Sequence, residues 1–367
     1  MTTTSPLFDA VQMGANRLSN RVLMAPLTRN RALPDGTPQD MTQIYYGQRA
    51  SAGLIITEAT QVSDMGKGYL NTPGIYLDKH VESWRNITNA VHASGGRIFV
   101  QLWHVGRISH KSLLPEGRSP VAPSAIKANA QVFTADGFED TSEPIALDAT
   151  AIAATISDFR RAAQAAKDAG FDGVEVHAAN GYLVDQFLQD GTNTRDDNYG
   201  GSFVNRARLL NEVLDVVGET WPMDQIGVRL SPLGQANDIS DTDPEGLFSY
   251  IYKMLSARKM AYLHVVEQFP GMDASAEDAA MMRRLRKQYS GFYIGNGGYD
   301  ADRASAAVKS DHADAIAFGR PFIANPDLPE RYLVGAELNE PNGEKFYGGD
   351  ESGYIGYPFL IGRNVAA

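Results

Sequence analysis

Short apolar runs and amphipathic stretches alternate along this chain. Eight runs read as strands: Val22–Ala25, Leu54–Glu58, Ile98–Trp103, Gly173–His177, Ile226–Leu230, Tyr262–Glu267, Phe292–Gly295 and Ala315–Gly319. Most are continuously apolar rather than alternating, the pattern of strands buried on both faces of a parallel sheet. Between them, apolar residues recur at helical spacing. Trp84, Ile87 and Val91 make one such face, and Ile152, Ile156, Phe159 and Ala163 a second. Leu209, Leu210, Val213, Leu214 and Val217 make a third. Leu247, Tyr250, Ile251, Met254 and Leu255 make a fourth, with Pro244 suited to a first helical turn. These stripes are packing surfaces and need no chemistry to explain them. Eight strand–helix units in 367 residues predict a single-domain α/β protein, a TIM (β/α)8 barrel. A doubly wound sheet would carry a glycine-rich turn after its first strand. Here that strand runs into Pro26-Leu27-Thr28-Arg29.

Two segments break the alternation. Residues 105–147 follow the third strand and are rich in Gly, Pro, Ser and charge, without a helical stripe. A connection of that length is usually functional or disordered. It leaves the C-terminal end of a strand, so it is expected on the barrel face that carries chemistry, as a lid or small subdomain. Residues 341–367 also lack a period and are rich in Gly and Tyr from Phe346 to Phe359. They are expected to pack near the barrel mouth.

Composition narrows the function classes. The formal net charge is −11 and no basic stripe is present, which argues against nucleic acid. Arg283, Arg284, Arg286 and Lys287 cluster within a helix-like run and read as a solvated face. Cysteine is absent, which removes disulfides, thiolate nucleophiles and cysteine metal sites. His104 and His110 lack nearby ligand partners and no H-E-x-x-H occurs, so no metal is expected. His80, His92 and His312 read as helix-surface residues. Met1–Pro6 lacks a signal pattern and no apolar run approaches a membrane span. A cytoplasmic enzyme that avoids membranes is the simplest expectation, as a monomer or homodimer.

Polar residues collect at the predicted strand ends. Thr28 follows the first strand, and Ala59 and Gln61 the second. Gln101, Trp103 and His104 close the third; His177, Asn180 and Tyr182 follow the fourth; Arg229 lies in the fifth. His177 and Asn180 are two donors able to grip one oxygen, and Tyr182 is a phenol able to deliver a proton beside them. Together they suit polarising a carbonyl or nitro group and protonating the adjacent carbon. Gly297-Gly298 after the seventh strand and Gly319-Arg320 after the eighth sit where barrels often hold phosphate. Glu58, Glu175 and Glu267 keep open a hydrolase using paired carboxylates. Glu175 lies two residues before His177 and is expected deeper on the same face, as the partner of an arginine.

Several longer segments carry a resemblance. They are N-R-V-L-M-A-P-L-T-R (Asn20–Arg29), Y-Y-G-Q-R-A-S-A-G-L-I-I-T-E-A-T (Tyr45–Thr60) and Q-L-W-H-V-G-R (Gln101–Arg107). F-D-G-V-E-V-H-A-A-N-G-Y-L-V-D-Q-F-L (Phe171–Leu188) and N-Y-G-G-S-F-V-N-R-A-R-L (Asn198–Leu209) continue the series. A-F-G-R-P-F-I-A-N-P-D-L (Ala317–Leu328) and F-Y-G-G (Phe346–Gly349) close it. In this order, across nearly the whole chain, they resemble the Old Yellow Enzyme family of FMN-dependent ene-reductases, close to its bacterial nitroester- and enone-reducing members.

The resemblance implies bound FMN, with NADPH or NADH as a transient reductant. The substrate would be an enone or nitroalkene, or alternatively a nitrate ester undergoing reductive denitration. Pro26, Leu27, Thr28, Ala59, Gln101 and Arg229 would contact the isoalloxazine. Gly297, Gly298, Gly319 and Arg320 would hold the phosphate. His177 and Asn180 would bind the substrate oxygen, with Tyr182 as proton donor and Tyr69, Trp103 and Tyr347 lining the pocket. Asn180 stands where several relatives carry His, and Gln189–Asn193 replaces a serine- or proline-bearing stretch.

Overall fold

The computed structural model describes residues 5–268 and 275–360. Residues 361–367 of the expected tail lie outside the described residues. Eight parallel strands close into a barrel: β1 (Val22–Met24), β2 (Ile55–Gln61), β3 (Ile98–Trp103), β4 (Gly173–His177), β5 (Ile226–Leu230), β6 (Tyr262–Val266), β7 (Tyr293–Asn296) and β8 (Ala315–Phe318). Each pairs with its chain neighbour, and β8 pairs with β1. This is the expected TIM barrel. The largest boundary change is at β2, which runs on to Gln61 through a register shift between Ile56 and Ala59.

The outer helices pack the predicted stripes against the strands. α1 (Asp40–Gly47) precedes β2, and α2 (Asp78–Ala93) buries Trp84, Ile87 and Val91. α3 (Ala149–Asp168) starts where the Asp148 side chain accepts from the Ala151 N–H, and buries Ile152, Phe159 and Ala163. Such a cap contributes about 1 kcal/mol. α4 (Arg208–Gly218), α5 (Pro244–Arg258), α6 (Ala276–Arg286), α7 (Ala301–Lys309) and α8 (Leu328–Val334) complete the ring.

A hairpin that the hydrophobic pattern did not predict, Val11–Met13 with Asn16–Leu18, precedes β1. Its Met13 and Leu18 are fully buried against Leu23, Ile56 and Phe99 of the barrel strands.

The 105–147 segment contains the antiparallel pair Gln131–Thr134 and Gly137–Asp140, and the parallel pair Val121–Ala122 and Ile145–Ala146. Val105, Ile108, Leu113 and Val132 pack with Ala59 and Trp103. The buried Arg107 guanidinium donates to the carbonyls of Ile126 at 3.1 Å, Asn237 at 3.2 Å and Asp238 at 2.6 Å. The segment is thus pinned to the loop after β5. The tail is pinned to the segment after β1. Arg29 donates to the carbonyls of Phe346 at 2.9 Å and Gly353 at 2.8 Å, and Arg31 to Lys345 at 3.0 Å. Tyr354 stacks on Tyr45, with ring centroids 4.1 Å apart.

Candidate active site

The turn after β4 is built from left-handed backbone. Asn180 has φ +59° and Gly181 φ +76°. A Cβ at Gly181 would lie 2.5 Å from the Ala236 carbonyl oxygen, so only glycine fits. Asn tolerates such a conformation better than most residues. The turn is held from three directions. The Asn180 N–H donates to Ser231 Oγ at 2.8 Å, and the Gly181 N–H to Asp185 Oδ2 at 2.9 Å. Asn237 Nδ2 donates to the Asn180 carbonyl at 2.8 Å. The short helix Leu183–Leu188 then begins directly after Tyr182.

His177, the last residue of β4, is buried, and its Nδ1 accepts from the Ala179 N–H at 3.3 Å. Burial, reinforced by Arg229 and His264, pushes its pKa well below the ordinary value. The imidazole is therefore neutral, with its proton on Nε2, which can act as a donor. The Tyr182 ring meets Trp103 edge-on at 5.1 Å and His177 at 5.2 Å. Its hydroxyl lies 3.2 Å from that of Tyr69, which stacks on Trp103 at 5.9 Å. Burial raises the phenol pKa, although Tyr69 and Asn237 partly oppose it. Tyr182 therefore carries its proton at neutral pH.

Beside this aromatic box, strand register aligns further polar groups: Gln101 opposite both Ala59 and Glu175, and Arg229 opposite His177. Arg229 donates to Asn296 Oδ1 at 3.0 Å, and Asn296 donates to the Ala317 carbonyl at 2.7 Å. The ends of β5, β7 and β8 are joined in this way. Gly297 has φ +120°, and a Cβ there would meet the Gln268 backbone at 2.3 Å. Gly298 and Arg320 are exposed, Gly319 is half-buried, and Arg303 donates to the Gly298 carbonyl at 2.5 Å. Pro26, Leu27 and Thr28 are half-buried after β1. Tyr347 is 67% exposed on the tail, within electrostatic reach of Tyr69 and Tyr182.

Some sequence expectations need correction. Glu175 pairs with a histidine rather than an arginine: its Oε2 lies 2.9 Å from His264 Nδ1, with Arg229 acting only at longer range. His80 is fully buried in the first turn of α2, with Nε2 3.0 Å from the Asp35 carbonyl oxygen. His92 is half-buried beside Asp172, and His312 lies past α7 with Nε2 2.7 Å from Glu267. The Arg283–Lys287 face is only partly free, since Arg284 pairs with Glu245 and Glu277, and Arg286 covers the Tyr293 ring.

The three strand-end carboxylates are also committed. Glu58 accepts from the Arg29 N–H and from Tyr46; Glu175 from Gln101; Glu267 from Tyr293 and Tyr299. The hydrolase alternative is therefore not favoured. Among the described residues, no group of His, Asp and Glu is arranged to hold a metal. No helix among them is long and apolar enough to cross a membrane.

Sequence reasoning gave no role to Asn237, Ser231 or Asp185, which support the turn; Asp185 lies in the Phe171–Leu188 segment, whereas Ser231 and Asn237 belong to none of the quoted segments. Asp185 has a measurable consequence. Burial, aided by the nearby Asp241, raises its carboxyl pKa from 3.8 to about 7. Between those values the folded chain binds more protons than the unfolded chain. Stability therefore falls as pH rises through this window, by up to about 4 kcal/mol. Asp185→Asn is expected to make this slope shallower, leaving the part contributed by Glu58, which burial also raises to about 7, as read by urea unfolding of both proteins across the window. Parallel slopes in the two proteins would contradict the assignment.

The comparisons with known proteins agree with this geometry. Residues 6–339 match the model of the NADH:flavin oxidoreductase / NADH oxidase family. The chain belongs to that family, the Old Yellow Enzyme family of FMN-dependent ene-reductases. It is 41% identical to 12-oxophytodienoate reductase 2 of Arabidopsis thaliana, with 97% of this chain and 96% of the relative covered. The solved structure of morphinone reductase superposes with a TM-score of 0.94 at 48% identity, over 100% of both chains. An old yellow enzyme homologue from Zymomonas mobilis gives 0.92 at 43% identity, over 96% of this chain and 99% of that one. The protein is an NAD(P)H-dependent flavin oxidoreductase with FMN as its cofactor. The chain's own residues fit that group. Arg229, which would contact the isoalloxazine, keeps its Nε buried without a partner at the end of β5.

Proposed function

We propose that the enzyme reduces the C=C bond of small α,β-unsaturated carbonyl compounds and nitroalkenes. The observation that supports this reading is the neutral His177 imidazole packed edge-on against the protonated Tyr182 phenol in one aromatic box, with Asn180 on the left-handed turn between them. Bound FMN, recharged by NADPH or NADH, supplies the hydride to the β-carbon. His177 Nε2–H and the Asn180 amide hold the carbonyl or nitro oxygen. They lower the energy of the enolate or nitronate that develops there. Tyr182 donates its proton to the α-carbon. The Tyr69 hydroxyl, 3.2 Å away, steadies the phenolate left behind.

In the same reading, Pro26, Leu27, Thr28, Ala59, Gln101 and Arg229 line the isoalloxazine. Gly297, Gly298, Gly319 and Arg320 receive the phosphate. Tyr69, Trp103 and Tyr347 shape the substrate pocket, closed by residues 105–147 on one side and the tail on the other. Steady-state assays with 2-cyclohexenone, 1-nitrocyclohexene and glycerol trinitrate, each with NADH and with NADPH, test the substrate class. Turnover of the first two above the nitrate ester is expected; a clear preference for glycerol trinitrate would contradict the reading.

A further inference from the structure

The inner face of the barrel carries a polar layer of which these roles use Gln101 and Arg229 but not Glu175 or His264. Gln101, Glu175, Arg229 and His264 come from β3, β4, β5 and β6, four neighbouring strands. Register sets Glu175 opposite Gln101 and Arg229 opposite His264. The side chains of Glu175 and His264 have no solvent exposure. A carboxylate there is costly unless it is well paired. Glu175 meets that condition: Oε1 accepts from Gln101 Nε2 at 2.6 Å, and Oε2 lies 2.9 Å from His264 Nδ1.

Burial pushes the Glu175 carboxyl up, but His264, Arg229 and Gln101 together outweigh it and hold it below the usual range. Burial keeps His264 neutral, so its Nδ1–H donates to an ionised carboxylate. Arg229 has one direct partner, the neutral Asn296, and its Nε is buried without one. Among the described residues, Glu175 is the carboxylate that acts on its positive charge, ahead of the Tyr182 and Tyr262 phenols.

We propose that Glu175, oriented by His264, is a positioning residue for the cofactor site: it fixes the Gln101 amide and offsets the Arg229 charge at the isoalloxazine. This rests on Gln101 and Arg229 being the isoalloxazine contacts. Its consequence is electrostatic. A fixed negative charge behind Arg229 weakens that residue's stabilisation of the reduced, anionic ring, so Glu175 sets the reduction potential lower than Arg229 alone would.

The test is a dye-equilibrated reductive titration of the FMN-loaded protein. Glu175→Gln removes the charge and keeps the shape, and its midpoint potential is expected to move to more positive values. His264→Leu takes away the donor that helps hold the buried Glu175 carboxyl ionised, so part of the charge is lost by protonation, and the potential is expected to move in the same direction by a smaller amount. His264→Asn retains a donor near the Nδ1 position and is expected to stay at the parent value. A merely structural role would leave the potential unmoved. A folded, yellow Glu175→Gln protein with the parent potential overturns the proposal, as does a His264→Leu protein that matches the parent. A parent chain that takes up no FMN contradicts the underlying reading, and the proposal with it.

Discussion

Tyr182→Phe is expected to slow reduction of 2-cyclohexenone by about 10²- to 10⁴-fold, the range a positioned general acid contributes. The loss should fall on one half-reaction. In the proposed mechanism Tyr182 gives a proton to carbon, and its ring should still pack on Trp103 and His177 when the hydroxyl is gone. The aromatic box therefore keeps its shape, and KM for the enone should change little. Reduction of the bound flavin by NAD(P)H needs no proton from this residue and should proceed at the parent rate. Rapid-mixing measurements of the two half-reactions separate these effects. Equal losses in both would mean that Tyr182 shapes the pocket and gives no proton. The raised phenol pKa adds a further expectation: at neutral pH the parent rate should not fall through ionisation of Tyr182.

Arg206→Ala is expected to cost about 3–5 kcal/mol of stability, the price of breaking a buried ion pair from one side. Arg206 contacts Asp241 closely, and their side chains are 3% and 0% exposed. The same guanidinium donates to the Leu188 carbonyl at 2.6 Å and to the Gly201 carbonyl at 3.1 Å. Leu188 ends the helix that begins after Tyr182, and Asp241 accepts from the Asp190 N–H at 2.9 Å. Without the arginine, Asp241 becomes an uncompensated buried carboxylate near Asp185. Urea unfolding should show a lower midpoint with an unchanged slope. Arg206→Ala combined with Asp241→Ala should recover part of the loss, because neither charge is then stranded. A single variant as stable as the parent would show that the pair contributes nothing.

The barrel was legible because its strands are buried on both faces and read as unbroken apolar runs. The hairpin Val11–Met13 and Asn16–Leu18 was not, since three residues per strand carry no usable period. The short strands of the 105–147 segment escaped for the same reason. His177, Asn180 and Tyr182 could be placed because they follow a strand end within six residues. Their supports could not. Ser231 and Asn237 reach the turn from the loop after β5, and only strand register brings that loop alongside. His80 sits at a helical position that looks exposed in sequence, until residues 31–38 fold over it and offer the Asp35 carbonyl. The partner of Glu175 was misassigned because Arg229 and His264 both face the interior, and spacing alone does not say which one reaches the carboxylate.

In the proposed function, FMN held in the barrel mouth passes reducing equivalents from a nicotinamide to a C=C bond polarised by His177 and Asn180. Anaerobic titration of the NADPH-reduced protein with 2-cyclohexenone tests it most directly. The flavin absorption should return in full, with cyclohexanone formed in equal amount to the flavin reoxidised. Protein that purifies colourless and takes up no FMN, or reduced protein that stays bleached in the presence of the enone, would contradict it.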